Sequence, residues 1–259
     1  MRIVLGLEYC GVGFCGWQSQ PQRCGVQDAL EAALTAVACE KISVTAAGRT
    51  DTGVHAALQV AHFDTDVKRP LTAWVRGVNS HLPMGLSVLW AREIGADFHA
   101  RFAATQRGYR YVLLNHPVRP GLGHGQIGWH HRPLDADAMN LAAAHLIGQH
   151  DFSAFRAAEC QAKSPVKELR LAHVERRGDY LLCDFRADGF LHHMVRNLMG
   201  CLIQVGAGAQ PPAWLHQILI GRDRTVAAPT FDAAGLYLTH IRYPAHFALP
   251  ETSDRWLYA

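Results

Sequence analysis

The chain has 259 residues, of which 49% are apolar, and a formal net charge of +3 at pH 7. This length suits one large domain or two smaller ones that share a core, and the charge is too small to identify a nucleic-acid-binding protein without local clusters of arginine. Seven cysteines without a C-x-x-C pair argue against a disulfide framework and a zinc ribbon, and they predict a reducing cytoplasm.

The first predicted element is a buried strand at residues 2–9, rich in Ile, Val and Leu. Glu8 interrupts this apolar run, so neither a secretion signal nor a membrane span is expected. Residues 11–16 then match G-x-G-x-x-G, the dinucleotide-binding fingerprint. In such a site the helix begins within the glycines, whereas here residues 17–21 intervene before any helical pattern. We therefore predict a flexible loop with an exposed Trp17 that could touch a substrate. A dinucleotide-dependent enzyme is the least favoured of three hypotheses for the function.

The remaining pattern alternates between helices and strands. Helices are predicted from Val26, from Pro70 to Pro83, and at residues 134–147, 191–205 and 211–220. Strands are predicted at residues 42–45, 58–63, 86–94, 109–115, 169–177, 180–186 and 235–243. The first hundred residues thus have the order β-α-β-β-α-β, and the second half repeats it.

Two such halves predict an α+β fold of two ferredoxin-like (βαββαβ) units, whose sheets join into one mainly antiparallel sheet with a cleft between the halves. The predicted division is an N-terminal half at residues 1–104, a C-terminal half at residues 105–245 and a tail at residues 246–259. The long connections at residues 116–133 and 153–167 are expected to be surface loops, and loops of this length are uncommon unless they are functional.

The densest group of reactive side chains lies in residues 46–56, between two predicted strands. Gly48 and Gly53 permit backbone conformations that are closed to other residues. Arg49 and Asp51 are two apart in an extended segment and should project on the same side. Because an aspartate is ionised at neutral pH and a guanidinium favours that form, Asp51 is a candidate nucleophile or base. A structural Arg–Asp pair that braces a tight turn would explain the same spacing, and composition does not decide between the two.

A resemblance does decide it. The run G-R-T-D-T-G-V-H at residues 48–55 resembles the signature of the pseudouridine synthases of the tRNA anticodon stem and loop, the TruA family, in which this aspartate is the essential catalytic residue. The resemblance continues in the right order at residues 98–105, 109–111, 190–197 and 235–238. Thr52 and Gly108 are small departures from the family pattern.

The resemblance implies an isomerase that converts uridine to pseudouridine at positions 38, 39 and 40 of tRNA and needs neither cofactor nor metal. It implies that Asp51 is catalytic and that Tyr109 contacts the target base. Arg196 matches the family's second site arginine, expected to pair with the aspartate or to hold substrate, and Arg49 would help to keep the aspartate ionised and oriented. The implied partners are tRNA and a second copy of the chain, in the cytoplasm. Whether Asp51 attacks the sugar, attacks the ring or acts as a base stays open.

The tyrosines at 109 and 111 share one face of their predicted strand, with Arg110 opposite. A tyrosine that faces a cleft can stack on an unpaired base, but tyrosine in strands is mostly a core residue, and spacing cannot choose between these roles. By resemblance Tyr109 is the base contact, and Tyr111 is left as the core residue.

On the helix predicted from Leu191, the side chains of His192, His193, Arg196 and Asn197 gather near the N-terminus, which favours anions such as phosphate. The adjacent histidines do not predict a metal site, because sequence neighbours point apart on a helix and no Cys or carboxylate stands at ligand spacing.

Three groups of arginines are candidates for contact with RNA: Arg101, Arg107 and Arg110; Arg170, Arg176 and Arg177; and Arg222 and Arg224. Arg101 and His99 also fall in a family motif and could brace the cleft or hold phosphates. The alternative function is a noncatalytic RNA-binding protein with two RRM-like halves. That alternative lacks an evident aromatic RNP1 sequence and gives the run around Asp51 no purpose.

Overall fold

The computed structural model describes residues Met1–Pro250. The fold is α+β with a mainly antiparallel sheet, which confirms the predicted class. The chain forms two compact units: the first holds Met1–Thr105 and the described residues from Tyr237 onward, and the second holds Gln106–Leu236. The predicted division into halves at residues 1–104 and 105–245 stays a prediction. The predicted tail at residues 246–259 lies largely outside the described residues.

The strands, in chain order, are β1 (Arg2–Tyr9), β2 (Thr45–Ala46), β3 (His55–Asp64), β4 (Leu86–Ile94), β5 (Gln106–Asn115), β6 (Gly128–His130), β7 (Gly148–Asp151), β8 (Val166–Arg177), β9 (Tyr180–Ala187) and β10 (Leu236–Arg242). The helices are α1 (Val26–Ala38), α2 (Ala136–Ala144), α3 (Met194–Gly206) and α4 (Ala213–Gly221). No helix among the described residues is long and apolar enough to cross a membrane.

In the first unit, β1 is central and pairs antiparallel with β3 and β4. The strand β3 also pairs antiparallel with β2 and parallel with β10. The helix α1 begins at Val26, as predicted, and its first turn is held by the Asp28 carboxylate, which accepts a hydrogen bond from the Gly25 N–H at 3.0 Å. After Pro70 the predicted helix contains a π-helical segment, Ala73–Gly77, which buries Trp74.

The predicted strand at residues 42–45 is wrong, because β2 comprises only Thr45–Ala46. Its upstream backbone is bound by side chains of α1 instead of by a neighbouring strand. The Ile42 N–H donates to Thr35 Oγ1 at 3.1 Å, and the Val44 N–H donates to Glu31 Oε1 at 2.9 Å. Buried Ile42 and Val44 alternate with exposed Ser43, and this alternation looks the same in sequence whether the backbone bonds to a strand or to a helix.

In the second unit, β5, β9, β8 and β7 pair antiparallel in that order, and β6 runs parallel to β5. The Gly178–Asp179 hairpin between β8 and β9 is confirmed. The short strands β6 and β7 are missing from the sequence prediction, which assigned the residues of β6 to a loop. The helix α2 begins later than predicted, because the Asp135 carboxylate caps it by accepting hydrogen bonds from the N–H groups of Asp137 and Ala138.

Cysteine pairing differs from the prediction. Cys15 and Cys24 form a disulfide in the loop between β1 and α1, whereas cysteine count and spacing predicted none. The other five cysteines are thiols, of which Cys160, Cys183 and Cys201 are buried. A spacing of nine residues within one loop lies outside the C-x-x-C pattern, so the sequence carried no signal for this bond.

Candidate active site

The loop that carries Arg49 and Asp51 connects β2 to β3. Arg49 is exposed and Asp51 is half-buried, whereas Thr50 between them is only 6% exposed. This alternation is what an extended segment produces when every second side chain faces inward. The loop therefore leaves the guanidinium and the carboxylate accessible and anchors itself through the residue between them.

Two residues hold Thr50 from opposite ends. Its Oγ1 shares a hydrogen bond with the Tyr9 hydroxyl at 2.8 Å, and its carbonyl accepts from the Trp17 N–H at 2.9 Å. Burial raises the pKa of Tyr9 to about 12, so its hydroxyl keeps its proton at neutral pH. Gly16 lies so close that a Cβ there would stand 2.7 Å from the Thr50 carbonyl oxygen, and its φ of +90° favours glycine. The backbone next to Asp51 is thus fixed by groups more than thirty residues earlier.

The ends of the loop are held as well. The side chain of Gln59, fully buried on β3, donates from Nε2 to the Gly48 carbonyl at 2.8 Å. A turn closes after the aspartate, where the Val54 N–H donates to the Asp51 carbonyl at 3.1 Å, and Gly53 has a φ of +79°. The conformational freedom predicted for Gly53 is therefore used, whereas Gly48 is outside the left-handed region.

His55 ends the run and is fully buried, so it is a structural residue. Its Nδ1 accepts from the Gly11 N–H at 2.8 Å, and its ring stacks on Tyr237 with centroids 4.5 Å apart. A Cβ on Gly11 would stand 2.3 Å from the Val54 carbonyl oxygen. Two glycines of the G-x-G-x-x-G run thus let the backbone approach the Asp51 loop, which accounts for them without a dinucleotide.

Trp17 contradicts its prediction. It was expected to be exposed and to touch the substrate, but it is 2% exposed, with its ring centroid 6.0 Å from that of Tyr9. The glycine-rich surroundings predicted a flexible loop with an exposed tryptophan, yet Trp17 packs inward and its N–H becomes part of the support for Thr50.

The predicted residues of the second unit lie on β5 and α3. Tyr109 is half-buried, and its ring meets Phe190 edge to face at 5.0 Å. Tyr111 is fully buried and donates its hydroxyl to the Asp232 carbonyl at 2.9 Å, which confirms it as a core residue. Arg196 is half-buried, and its Nε donates to the Phe231 carbonyl at 2.9 Å.

The start of α3 differs from the prediction. The helix begins at Met194, because His193 has a left-handed backbone with a φ of +61°. Asn197 does not face an anion site, since it is fully buried. Its amide donates to the Phe155 carbonyl at 2.8 Å, and its oxygen accepts from the Thr230 hydroxyl at 2.6 Å and from Arg224 at 3.2 Å.

Most of the arginines proposed as RNA contacts in the second unit make internal contacts. Four of them pair with carboxylates: Arg110 with Asp184, Arg170 with Glu168, Arg177 with Glu175 and Arg222 with Asp151. Arg176 donates to the Leu134 carbonyl, and Arg224 donates to the carbonyls of Ala227 and Ala228. Most of these guanidinium groups therefore have internal partners, which the clusters of positive charge in the sequence do not reveal.

Sequence reasoning selected Arg49 and Asp51 as candidates and missed the residues that hold their loop in place. Tyr9, Trp17 and Gln59 carry no local signal of this role, because each acts through a contact that only the fold creates. The G-x-G-x-x-G run was a usable clue, since glycines outside a cofactor site can mark a close backbone approach.

Comparison with known proteins shows the family of this chain. A family profile described as tRNA pseudouridine synthase matches residues 7–103 and 142–244. The tRNA pseudouridine synthase A of Thiobacillus denitrificans is 79% identical over 259 residues, which is 100% of both chains. The enzyme of the same name from Dechloromonas aromatica is 58% identical over 257 residues, covering 99% of this chain and 98% of the relative, and that of Burkholderia ambifaria is 59% identical over 250 residues, covering 96% and 93%. The chain therefore belongs to the tRNA pseudouridine synthase family.

Proposed function

We propose that this protein is a tRNA pseudouridine synthase that isomerises uridines at positions 38, 39 and 40 of the anticodon stem and loop, with Asp51 as its catalytic residue. The observation that carries the proposal is the geometry of the Asp51 loop. Thr50 is held at both its hydroxyl and its carbonyl, while its neighbours Arg49 and Asp51 stay accessible. Fixed backbone beside an accessible carboxylate is the preorganisation that an active-site nucleophile or base requires.

The reaction breaks the N1–C1′ bond of uridine, turns the uracil and joins its C5 to C1′. The proton on C5 is lost and N1 gains one, so the reaction is an isomerisation without net oxidation or reduction. Asp51 acts as a nucleophile toward the sugar or the ring, or as the base that removes a sugar proton. Arg49, two residues away on the same loop, would help to orient the carboxylate toward the substrate.

Tyr109 and Arg196 are proposed as substrate contacts. A target uridine in or beside a stem must leave the stack, which costs a few kcal/mol. The Tyr109 ring would stack on the extruded base and offset part of this cost. Arg196, whose Nε donates to the Phe231 carbonyl, would hold substrate through the positive charge of its guanidinium.

The decisive experiment is tritium release from tRNA labelled at C5 of uridine, with Asp51→Asn and Asp51→Ala. Turnover should fall by at least about 10³-fold, while thermal unfolding and tRNA binding stay unchanged. The matched control is Asp66→Asn, an exposed carboxylate of the same unit, which should keep full activity. Appreciable release by the Asp51 variants would contradict the assignment, and a noncatalytic RNA-binding protein would release nothing even as wild type.

Tyr109→Phe separates stacking from chemistry. The variant keeps the ring, so tRNA binding should be retained, and any loss in turnover reports a role for the hydroxyl. Full turnover by Tyr109→Phe would show that the hydroxyl is dispensable. Mapping pseudouridines in treated tRNA would then test the three proposed positions.

The finer architectural expectations belong to this proposal. In the first unit the strand order β4-β1-β3 with β2 on the far edge of β3, all antiparallel, supports a ferredoxin-like half. The second ferredoxin-like half, the central cleft, the homodimer and the cytoplasmic location stay predictions.

A further inference from the structure

Phe102 is the most exposed aromatic side chain of the described residues, with 77% of its surface accessible. It lies in the turn between β4 and β5, directly after Arg101. A single exposed apolar residue needs no special explanation. The surroundings of this ring, however, differ from those of a side chain that merely reaches into solvent.

The turn that carries Phe102 is held by its own first residue. His99 Nδ1 accepts hydrogen bonds from the N–H groups of Arg101 and Phe102, each at 3.2 Å. The Ala103 N–H donates to the His99 carbonyl at 2.9 Å. Burial and the nearby charges of Arg2 and Arg101 lower the pKa of His99, which keeps its ring neutral and able to accept.

The Phe102 ring is held too. It stacks on the His99 imidazole with centroids 4.3 Å apart and an interplanar angle of 28°. The Arg101 guanidinium carbon lies 5.7 Å from its centroid. His99 in turn contacts the buried ring of His62 edge to face, with ring centroids 4.9 Å apart. A largely exposed aromatic ring that stacks on an imidazole and has a guanidinium over it has the make-up of a platform for a nucleobase.

We propose that Phe102 stacks on an unpaired base of bound tRNA and that Arg101 lies near the phosphate of the same nucleotide. This inference rests on the proposed function, because it needs tRNA as the ligand. Every base has a π-face, so this contact adds affinity without reading sequence. The positive charge of Arg101 favours a polyanion over a second, equally basic copy of this chain as the occupant.

The test is the affinity of the full-length protein for a tRNA transcript, with Phe102→Ala, Phe102→Leu and Phe102→Trp. The alanine and leucine variants should bind about 5- to 100-fold more weakly, and the tryptophan variant should bind as well as wild type. Met84→Ala is the control, since this side chain of the same unit is 99% exposed and has no aromatic face. Equal affinity of all four variants would overturn the proposal, and so would a leucine variant that binds like wild type, because apolar contact would then suffice.

A photo-crosslinking residue at position 102 identifies the occupant. Crosslinking to tRNA supports the proposal, whereas crosslinking to a second copy of the chain overturns it. Failure of the proposed function looks different. If the wild-type protein forms no pseudouridine but Phe102→Ala still weakens tRNA binding, the stacking site stands and the enzymatic assignment falls.

Discussion

The loop between β2 and β3 and the start of α3 look alike in sequence, since each is a short run of polar side chains within a family motif. The structure buries one polar residue in each and holds it by different contacts. In the first, one polar residue is buried and its two neighbours, Arg49 and Asp51, stay accessible. In the second, Asn197 is fully buried in a hydrogen-bond network. A cluster of polar residues therefore predicts a reactive site only when it is known which of its side chains the fold buries.

Removing the buried amide at the start of α3 should have the largest effect on stability. Asn197→Ala leaves the Phe155 carbonyl, the Thr230 hydroxyl and one Arg224 contact without their partner. We expect the free energy of unfolding to fall by about 3 kcal/mol, because buried groups that lose a partner keep their desolvation cost. Urea denaturation measures this loss. A change under about 0.5 kcal/mol would mean that Asn197 belongs with the accessible residues after all.

The Cys15–Cys24 disulfide closes the loop that contains Gly16 and Trp17, which support the Asp51 loop, so removing the bond tests that support. Cys15→Ser with Cys24→Ser should lower the free energy of unfolding by about 2 to 3 kcal/mol under oxidising conditions, because the bond restricts the unfolded chain. A reducing agent should lower the stability of the wild type toward that of the variant and leave the variant unchanged. If the two proteins unfold identically without reductant, the bond does not contribute to stability.

Lowering the pH tests the stability of β3, the strand that follows the Asp51 loop, because His62 lies on it. Burial lowers the pKa of His62 to about 4, with repulsion from Arg2 and His99 adding to it and Asp64 opposing it. The unfolded state, with an ordinary pKa near 6.5, therefore binds a proton first as the pH falls. The free energy of unfolding should decrease by about 1 to 3 kcal/mol between about pH 6.5 and pH 4 and then level off.

The measurement is denaturation across this range, compared with His62→Gln, which offers the Ala100 N–H an oxygen in place of Nδ1. The variant should lose this part of the pH dependence. An unchanged pH profile in the variant would assign the effect to other groups.

The smallest expected effect on stability is at Thr50, where function should respond more than folding. Thr50→Val keeps the shape and removes the hydrogen bond to Tyr9. We expect a loss of about 1 kcal/mol in unfolding free energy and a turnover number lowered by about tenfold with little change in KM. Tyr9→Phe should give the same changes, and the double variant should be no worse than either single one. Additive losses would show that the two hydroxyls act independently.

Local pattern was enough for part of this molecule. The bounds of β1 and β4 and the start of α1 could be predicted, because their apolar periodicity and capping signals are contained in the segments themselves. The strand β7 could not, since its sequence G-Q-H-D lacks any apolar pattern and it is defined by pairing with β8. The candidate site shows the same limit. A short motif identifies Asp51, but the contact between Tyr9 and Thr50 joins residues 41 apart and has no local signature.

The first unit is built from two segments that lie far apart in the sequence, Met1–Thr105 and the described residues from Tyr237 onward. His55 stacks on Tyr237 and pairs with it where β3 meets β10, so the strand that completes this unit is made last. At about 5 to 20 residues per second, a ribosome needs roughly 10 to 40 s to travel from one to the other. During that time Tyr9 and Trp17, which contact Thr50 in the folded protein, have been synthesised, whereas Tyr237 has not. A nascent chain stalled before Leu236 should therefore be unable to mature into an active enzyme.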